Sequence, residues 1–171
     1  MSVRKGDELI KKVLRKLDRQ ELEDYCLTIA NILYKRGMTN GKKIALVSIV
    51  AAHEVFSIPY HILCLAKMCK ADRRKLSSLL KSISVDLSSY EAVNRYVRFF
   101  CRKIFVNQTN LKRLSKEIIR AGCVDPAVAV AIAAYELSED ITVAELLGVS
   151  EHDFISMYKR WRGVLRNKRK I

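Results

Sequence analysis

Residues 42–56, KKIALVSIVAAHEVF, constrain the fold of this chain more than any other stretch. From Ile44 to Ala52 the only polar side chain is that of Ser48, so a helix here has no hydrated face. An α-helix that is apolar on every side is stable in water only when other helices surround it. A second such stretch follows at 125–137, DPAVAVAIAAYEL. Its core AIAAYELS (131–138) matches IVAAHEVF (49–56) at an offset of 82. The chain therefore has to enclose two central helices. Alternating strand patterns are nearly absent, and the fold class is all-α.

The match continues beyond the central helices. LAKMCKADRRKLSSLLKSI (65–83) aligns with VAELLGVSEHDFISMYKRW (143–161) at an offset of 78. Leu65 falls on Val143, Met68 on Leu146, Ala71 on Val149, Leu76 on Phe154 and Leu80 on Tyr158. A duplicated unit of this size implies two similar domains in tandem. The boundary is expected in SVDLSS, Ser84–Ser89, giving domains 1–86 and 87–165 and a basic tail 166–171.

Punctuation residues support the same division. Asp18-x-x-Glu21, Ser88-x-x-Glu91, Thr142-x-x-Glu145 and Ser150-x-x-Asp153 have the form of N-terminal capping boxes. Asp125-Pro126 sets a cap before a proline suited to the first helical position. Asn40-Gly41 and Gly122 read as helix stops. The last two helices of each unit have helix-turn-helix form. In the second unit Ala144 and Leu147 flank the turn, Gly148 permits it, Val149 fills it, and Phe154 and Tyr158 anchor the following helix. This arrangement can offer a helix to the major groove of DNA, and it also packs two helices with no DNA involved.

The net charge is +14, and its distribution points to a polyanion. Residues 35–81 carry ten Lys/Arg against two acids, 95–120 eight against one, and 159–171 seven against none. The interval 121–158 reverses the sign, with seven acids and no Lys/Arg. In its start-of-helix trio Glu151-His152-Asp153 the two carboxylates would repel phosphates, so the acids are read first as helix caps.

Catalytic and metal chemistry lack their motifs. Cys26, Cys64, Cys69, Cys101 and Cys123 form no CxxC pair and are expected to be buried free thiols rather than zinc ligands. His53, His61 and His152 form no HExxH, and neither GxSxG nor a glycine-rich phosphate loop occurs. His53 and Glu54 close a buried-type helix, where a structural hydrogen bond is expected. No catalytic residue, metal or cofactor is assigned. No apolar run is long enough to span a membrane, and the N-terminus MSVRKGDELIKKVLRKL lacks the apolar core of a secretory signal.

With SIVAAHEVFSIP and VAIAAYEL as central helices, and with ADRRKLSSLLKSI and LLGVSEHDFISMYKRW as repeat ends, the chain resembles the core domain of the transcription factor IIB family, which includes archaeal transcription factor B. The resemblance implies two tandem five-helix cyclin-fold repeats. It puts helices near Asp7–Leu17, Arg19–Arg36, Lys42–Phe56, Tyr60–Cys69 and Asp72–Ser84. The second set falls near Ser89–Phe105, Thr109–Ala121, Asp125–Leu137, Thr142–Leu147 and Glu151–Leu165. It further implies binding of double-stranded DNA in transcription initiation or its regulation, with the TATA-binding protein as a partner. It places the protein in the nucleoid-bearing cytoplasm of an archaeal or viral system, or in a eukaryotic nucleus. The family's zinc ribbon is expected to be lacking, because no cysteine precedes Cys26. Ile155 and Ser156 stand where the family tends to carry base-reading Arg and Gln. Tyr60 and Leu63 stand where it often carries basic contacts to the TATA-binding protein.

The candidate DNA-contacting residues are Lys42, Lys43, Lys67, Lys70, Arg73, Arg74 and Lys75 in the first unit. In the second they are Arg95, Arg98 and Arg102, which share one helical stripe, then His152, Lys159, Arg160, Arg162 and Arg166. Trp161 occupies an apolar repeat position and is expected in the core. Two functions fit these residues: a monomeric DNA-binding protein of the transcription-factor-IIB kind, or a cyclin-like interaction module whose basic face takes an acidic protein.

Overall fold

A computed structural model describes residues 4–85 and 89–168. Among the described residues the protein is all-helical, with ten α-helices, one short 3-10 turn and no strand. The chain divides into two compact units, Met1–Phe56 with Ile62–Leu87, and Ser57–His61 with Ser88–Ile171.

The first unit contains α1 (Lys5–Lys16), a 3-10 turn (Gln20–Leu22), α2 (Glu23–Lys35), α3 (Gly41–Val55), α4 (Ile62–Cys69) and α5 (Leu76–Ser82). Helix α3 is the central one. Every residue from Ile44 to Glu54 is buried, and α1, α2, α4 and α5 all contact it. The second unit contains α6 (Ser89–Lys103), α7 (Gln108–Arg120), α8 (Pro126–Ser138), α9 (Thr142–Leu147) and α10 (Glu151–Lys168). Here α8 is central, buried from Ala127 to Ala134 and contacted by α6, α7, α9 and α10. Both apolar stretches thus lie where a helix without a hydrated face has to lie.

The turns after α4 and α9 share their hydrogen bonds. After α9, Gly148 takes a left-handed conformation at φ 80°; its N–H donates to Glu145 O, and Val149 N–H donates to Ala144 O. After α4, Lys70 takes the same region at φ 52°; its N–H donates to Lys67 O, and Ala71 N–H donates to Ala66 O. This is the Schellman closure at positions 70 and 148, which the offset of 78 aligns, made once by glycine and once by a lysine that bears the left-handed penalty.

Local capping is partly as read. Asp125 Oδ1 accepts from Ala127 N and Val128 N with Pro126 at the first position, and Ser150 Oγ accepts from Asp153 N. Gly122 ends α7 at φ 114°. Three expectations are corrected. Asn40-Gly41 starts α3 rather than stopping α2: Asn40 Oδ1 accepts from Lys43 N, and the stop is Gly37 at φ 89°. Asp18 caps nothing; at φ 53° it terminates α1, and the expected helix from Arg19 opens as the 3-10 turn. Thr142 is itself capped, because Asp140 Oδ1 accepts from both its N–H and its hydroxyl. Ser88 and the expected boundary at 86/87 lie outside the described residues. The expected tail is helical as far as Lys168, where the described residues end.

Gly6 and Gly41 bring α1 and α3 together. Gly6 N–H donates to Tyr34 Oη at 3.2 Å. A Cβ added to Gly41 would stand 2.9 Å from Gly6 N, a backbone atom that cannot swing away. In an open helix Gly→Ala stabilises by up to about 1 kcal/mol. Here Gly41→Ala is expected to destabilise by about 1–3 kcal/mol through overpacking. A urea midpoint that stays level or rises would show that the helices can separate without cost.

Candidate nucleic-acid interface

In the first unit the basic residues gather around one turn. Helix α5 begins at Leu76, so Asp72 to Lys75 form a turn ahead of it instead of its first residues. Asp72 Oδ1 accepts from Arg74 N at 2.8 Å, an Asx closure. Lys43 reaches across from α3 and donates to Asp72 O at 2.6 Å, to Asp72 Oδ1 at 3.2 Å and to Arg74 O. Its side chain is only 12% exposed. Lys43, read as a phosphate contact, therefore spends its donors bracing the turn from within. The Arg74 N–H, and then Lys43, hold the Asp72 carboxyl below the usual aspartate range. Lys75 closes the turn in the left-handed region at φ 58°.

The brace leaves Arg73, Arg74 and Lys75 exposed on a defined backbone. The 3.7 Å approach of Arg74 Nε to Asp72 is nearly fully hydrated and holds the guanidinium weakly. Lys42 on the first turn of α3, Lys67 on α4 and Lys70 at its end are also exposed.

In the second unit the cations spread over three helices. On α6, Arg98 and Arg102 are exposed, whereas Arg95 is half-buried with its guanidinium 6.0 Å from the Tyr96 ring. On α10, Lys159, Arg160 and Arg166 are exposed. Arg162, also exposed, lies 5.8 Å from the Tyr158 ring. Tyr158 donates to the Glu136 carboxylate, and both Tyr158 and Phe154 meet Tyr135 edge-on. Burial, and then Glu136, push the Tyr158 phenol up to about 12. Phe154 is fully buried and Trp161 packs on the same core, so α10 is held by its aromatic side. Glu151, His152 and Asp153 are exposed at its start.

The fronts of α5 and α10 differ in sign. A cationic turn precedes α5, while an acidic first turn opens α10. One basic row escaped the residue list above. Lys112, Lys116 and Arg120 follow one another on α7 at four-residue spacing and border a groove with α6 and the 122–126 loop. The spacing was visible in the sequence. The groove was not, because it needs three segments brought together.

His53 and Arg19 make a buried polar pair in the first unit. Arginine has no acceptor, so Arg19 Nη1 donates to His53 Nε2 at 2.6 Å. His53 Nδ1 then carries the proton and donates to Ile49 O at 2.7 Å. The expected structural hydrogen bond is present. Cys26, Cys69 and Cys123 are buried, Cys64 and Cys101 half-buried, and all five are free thiols. Among the described residues no three His, Cys, Asp or Glu side chains cluster as metal ligands, and no helix is long and apolar enough to cross a membrane.

These features define a class, an all-helical protein of two compact units with cations clustered on a braced turn and on helix faces. No family model matches the chain, and neither does any curated protein.

Proposed function

We propose that the protein binds double-stranded DNA and acts in transcription initiation or its regulation, as a factor of the transcription-factor-IIB kind built from two tandem cyclin-fold repeats. The observation that carries this reading is the Asp72–Lys75 turn. Its backbone is closed by Asp72 and Lys43, so three exposed cations project from a fixed stretch of chain. A fixed backbone spares the cost of ordering the loop when its cations meet phosphates. Support comes also from the central helices α3 and α8 at matching repeat positions and from the identical hydrogen bonds of the two helix-turn-helix turns. The TATA-binding protein is the partner this reading proposes, and the functional unit is a monomer.

Phosphate contacts position a protein on a duplex without reading sequence, and the exposed cations here are of that kind. Titration of random-sequence duplex over a salt series tests the reading. Log affinity should fall linearly with log salt, with a slope near −0.9 for each phosphate neutralised. Absent or salt-insensitive binding would exclude a DNA-binding role.

A further inference from the structure

The groove on the second unit has a composition that duplex DNA does not match. It encloses about 590 Å³, between Val93 and Asn94 of α6, Ile119 of α7 and the loop from Gly122 to Pro126. Its apolar wall is incompletely covered: Val124, which lines it, is 97% exposed. Pockets of this volume ordinarily bury an apolar group and orient it with a few polar contacts.

Along one edge stand Lys112, Lys116 and Arg120. Four-residue steps put them on one helix face, about 6 Å apart, so the row runs for about 12 Å. Among the described residues no carboxylate comes within 4 Å of any of the three. Glu117 is turned about 100° from Lys116 and about 60° from Arg120 on the helix, makes no ion pair with either and does not line the groove. A cation row of that length is not satisfied by one anionic headgroup. It calls for several carboxylates in series, attached to something apolar that can cover Val124 and the exposed part of Ile119.

From this juxtaposition we infer that the α6–α7 groove docks an acidic amphipathic segment of a partner protein. The segment's apolar side chains enter between Val93, Ile119 and Val124, and its carboxylates align on Lys112, Lys116 and Arg120. A DNA strand would satisfy the cations but offers no side chain to fill the groove, so duplex is the weaker occupant. The inference does not rest on the Asp72–Lys75 turn that carries the DNA reading, which belongs to the other unit.

The test is fluorescence anisotropy on the full chain with three labelled probes. The first is a peptide of about 15 residues with leucines at helical spacing among Asp and Glu. The second has the same charge and no leucine, and the third is random duplex DNA. The amphipathic peptide should bind at least about tenfold more tightly than the acid-only peptide. Val124→Ser changes an exposed side chain and leaves the core intact; it should weaken the amphipathic peptide about tenfold and leave duplex binding unchanged. Lys116→Glu with Arg120→Glu should abolish binding of the amphipathic peptide, with circular dichroism confirming that helix content is kept. Equal binding of the two peptides would overturn the docking site, as would indifference to Val124→Ser. Duplex affinity falling as far as peptide affinity in the charge variant would assign the row to DNA instead.

Discussion

Changing Arg73, Arg74 and Lys75 together to Glu is expected to weaken binding to every duplex and to flatten its salt dependence. Three phosphate contacts at about 0.9 each reduce the log–log slope by up to ~2.7, which at 0.1 M salt is about a 500-fold loss of affinity. The loss should not depend on DNA sequence, because phosphate contacts carry none. All three side chains are exposed, and the Lys43–Asp72 brace that shapes the turn is untouched, so the fold should survive. The companion change, Glu151→Gln with Asp153→Gln on α10, should leave affinity unchanged or raise it by removing charges that repel phosphates. An inverse outcome would relocate the interface. If the glutamine pair abolished binding to one preferred sequence while the basic triple did little, α10 would be reading bases through carboxylates that accept from cytosine amino groups.

Folding stability should fall as pH drops below neutrality, and the largest single contribution should come from His53. Burial, and then the neighbouring Arg19 charge, lower its pKa to about 3, against the opposing bond to Ile49 O. In the unfolded chain the same ring takes a proton near pH 6.5. Between those values the unfolded state binds one proton more than the folded state, so stability rises with pH throughout that window. Each pH unit lost below 6.5 should cost about 1.4 kcal/mol. Arg19, lowered to about 10 by its own burial, stays charged over the whole range and keeps opposing a second positive charge beside it.

Urea unfolding between pH 7 and pH 5 measures this dependence while the carboxylates remain largely ionised. His53→Gln is the informative comparison. Glutamine can still accept from Arg19 and donate to Ile49 but does not titrate, so between pH 7 and pH 5 its stability should fall by about 2 kcal/mol less. Identical slopes in the two proteins would place His53 in a hydrated setting. A resonance assigned to the His53 ring that titrates near 6.5 in the native protein would do the same without any variant.

What could be read from residues alone was whatever depends on neighbours in the chain. Helical spacing is set by the backbone's own period, so helical character was legible, and the ranges that the resemblance implied agree with the helices to within a few residues. Two stretches with no polar face could sit only at the centre of their bundles, as α3 and α8 do. Asp125, Ser150, Gly122 and Gly148 act through backbone groups one to three residues away, and each did what its type and position indicated.

Contacts distant in sequence decided the rest. Asn40-Gly41 looked like a stop because glycine ends helices, but the close approach of Gly6 selected glycine at 41, and Asn40 was free to cap α3. Asp18 and Thr142 have the composition of caps, yet the left-handed turn after α1 and the Asp140 carboxylate took over those positions. Lys43 looked like its neighbour Lys42. Only the folded chain brings the carbonyls of Asp72 and Arg74 within its reach and makes it a brace instead of a phosphate contact. The Lys112–Lys116–Arg120 row was written in the sequence, but the groove beside it was not, since its walls come from segments up to about thirty residues apart. The sequence by itself determined which segments are helical and which are central, because period and apolarity are local. Only the tertiary structure decided what each polar side chain does, because a donor's role is set by the acceptors that folding brings to it.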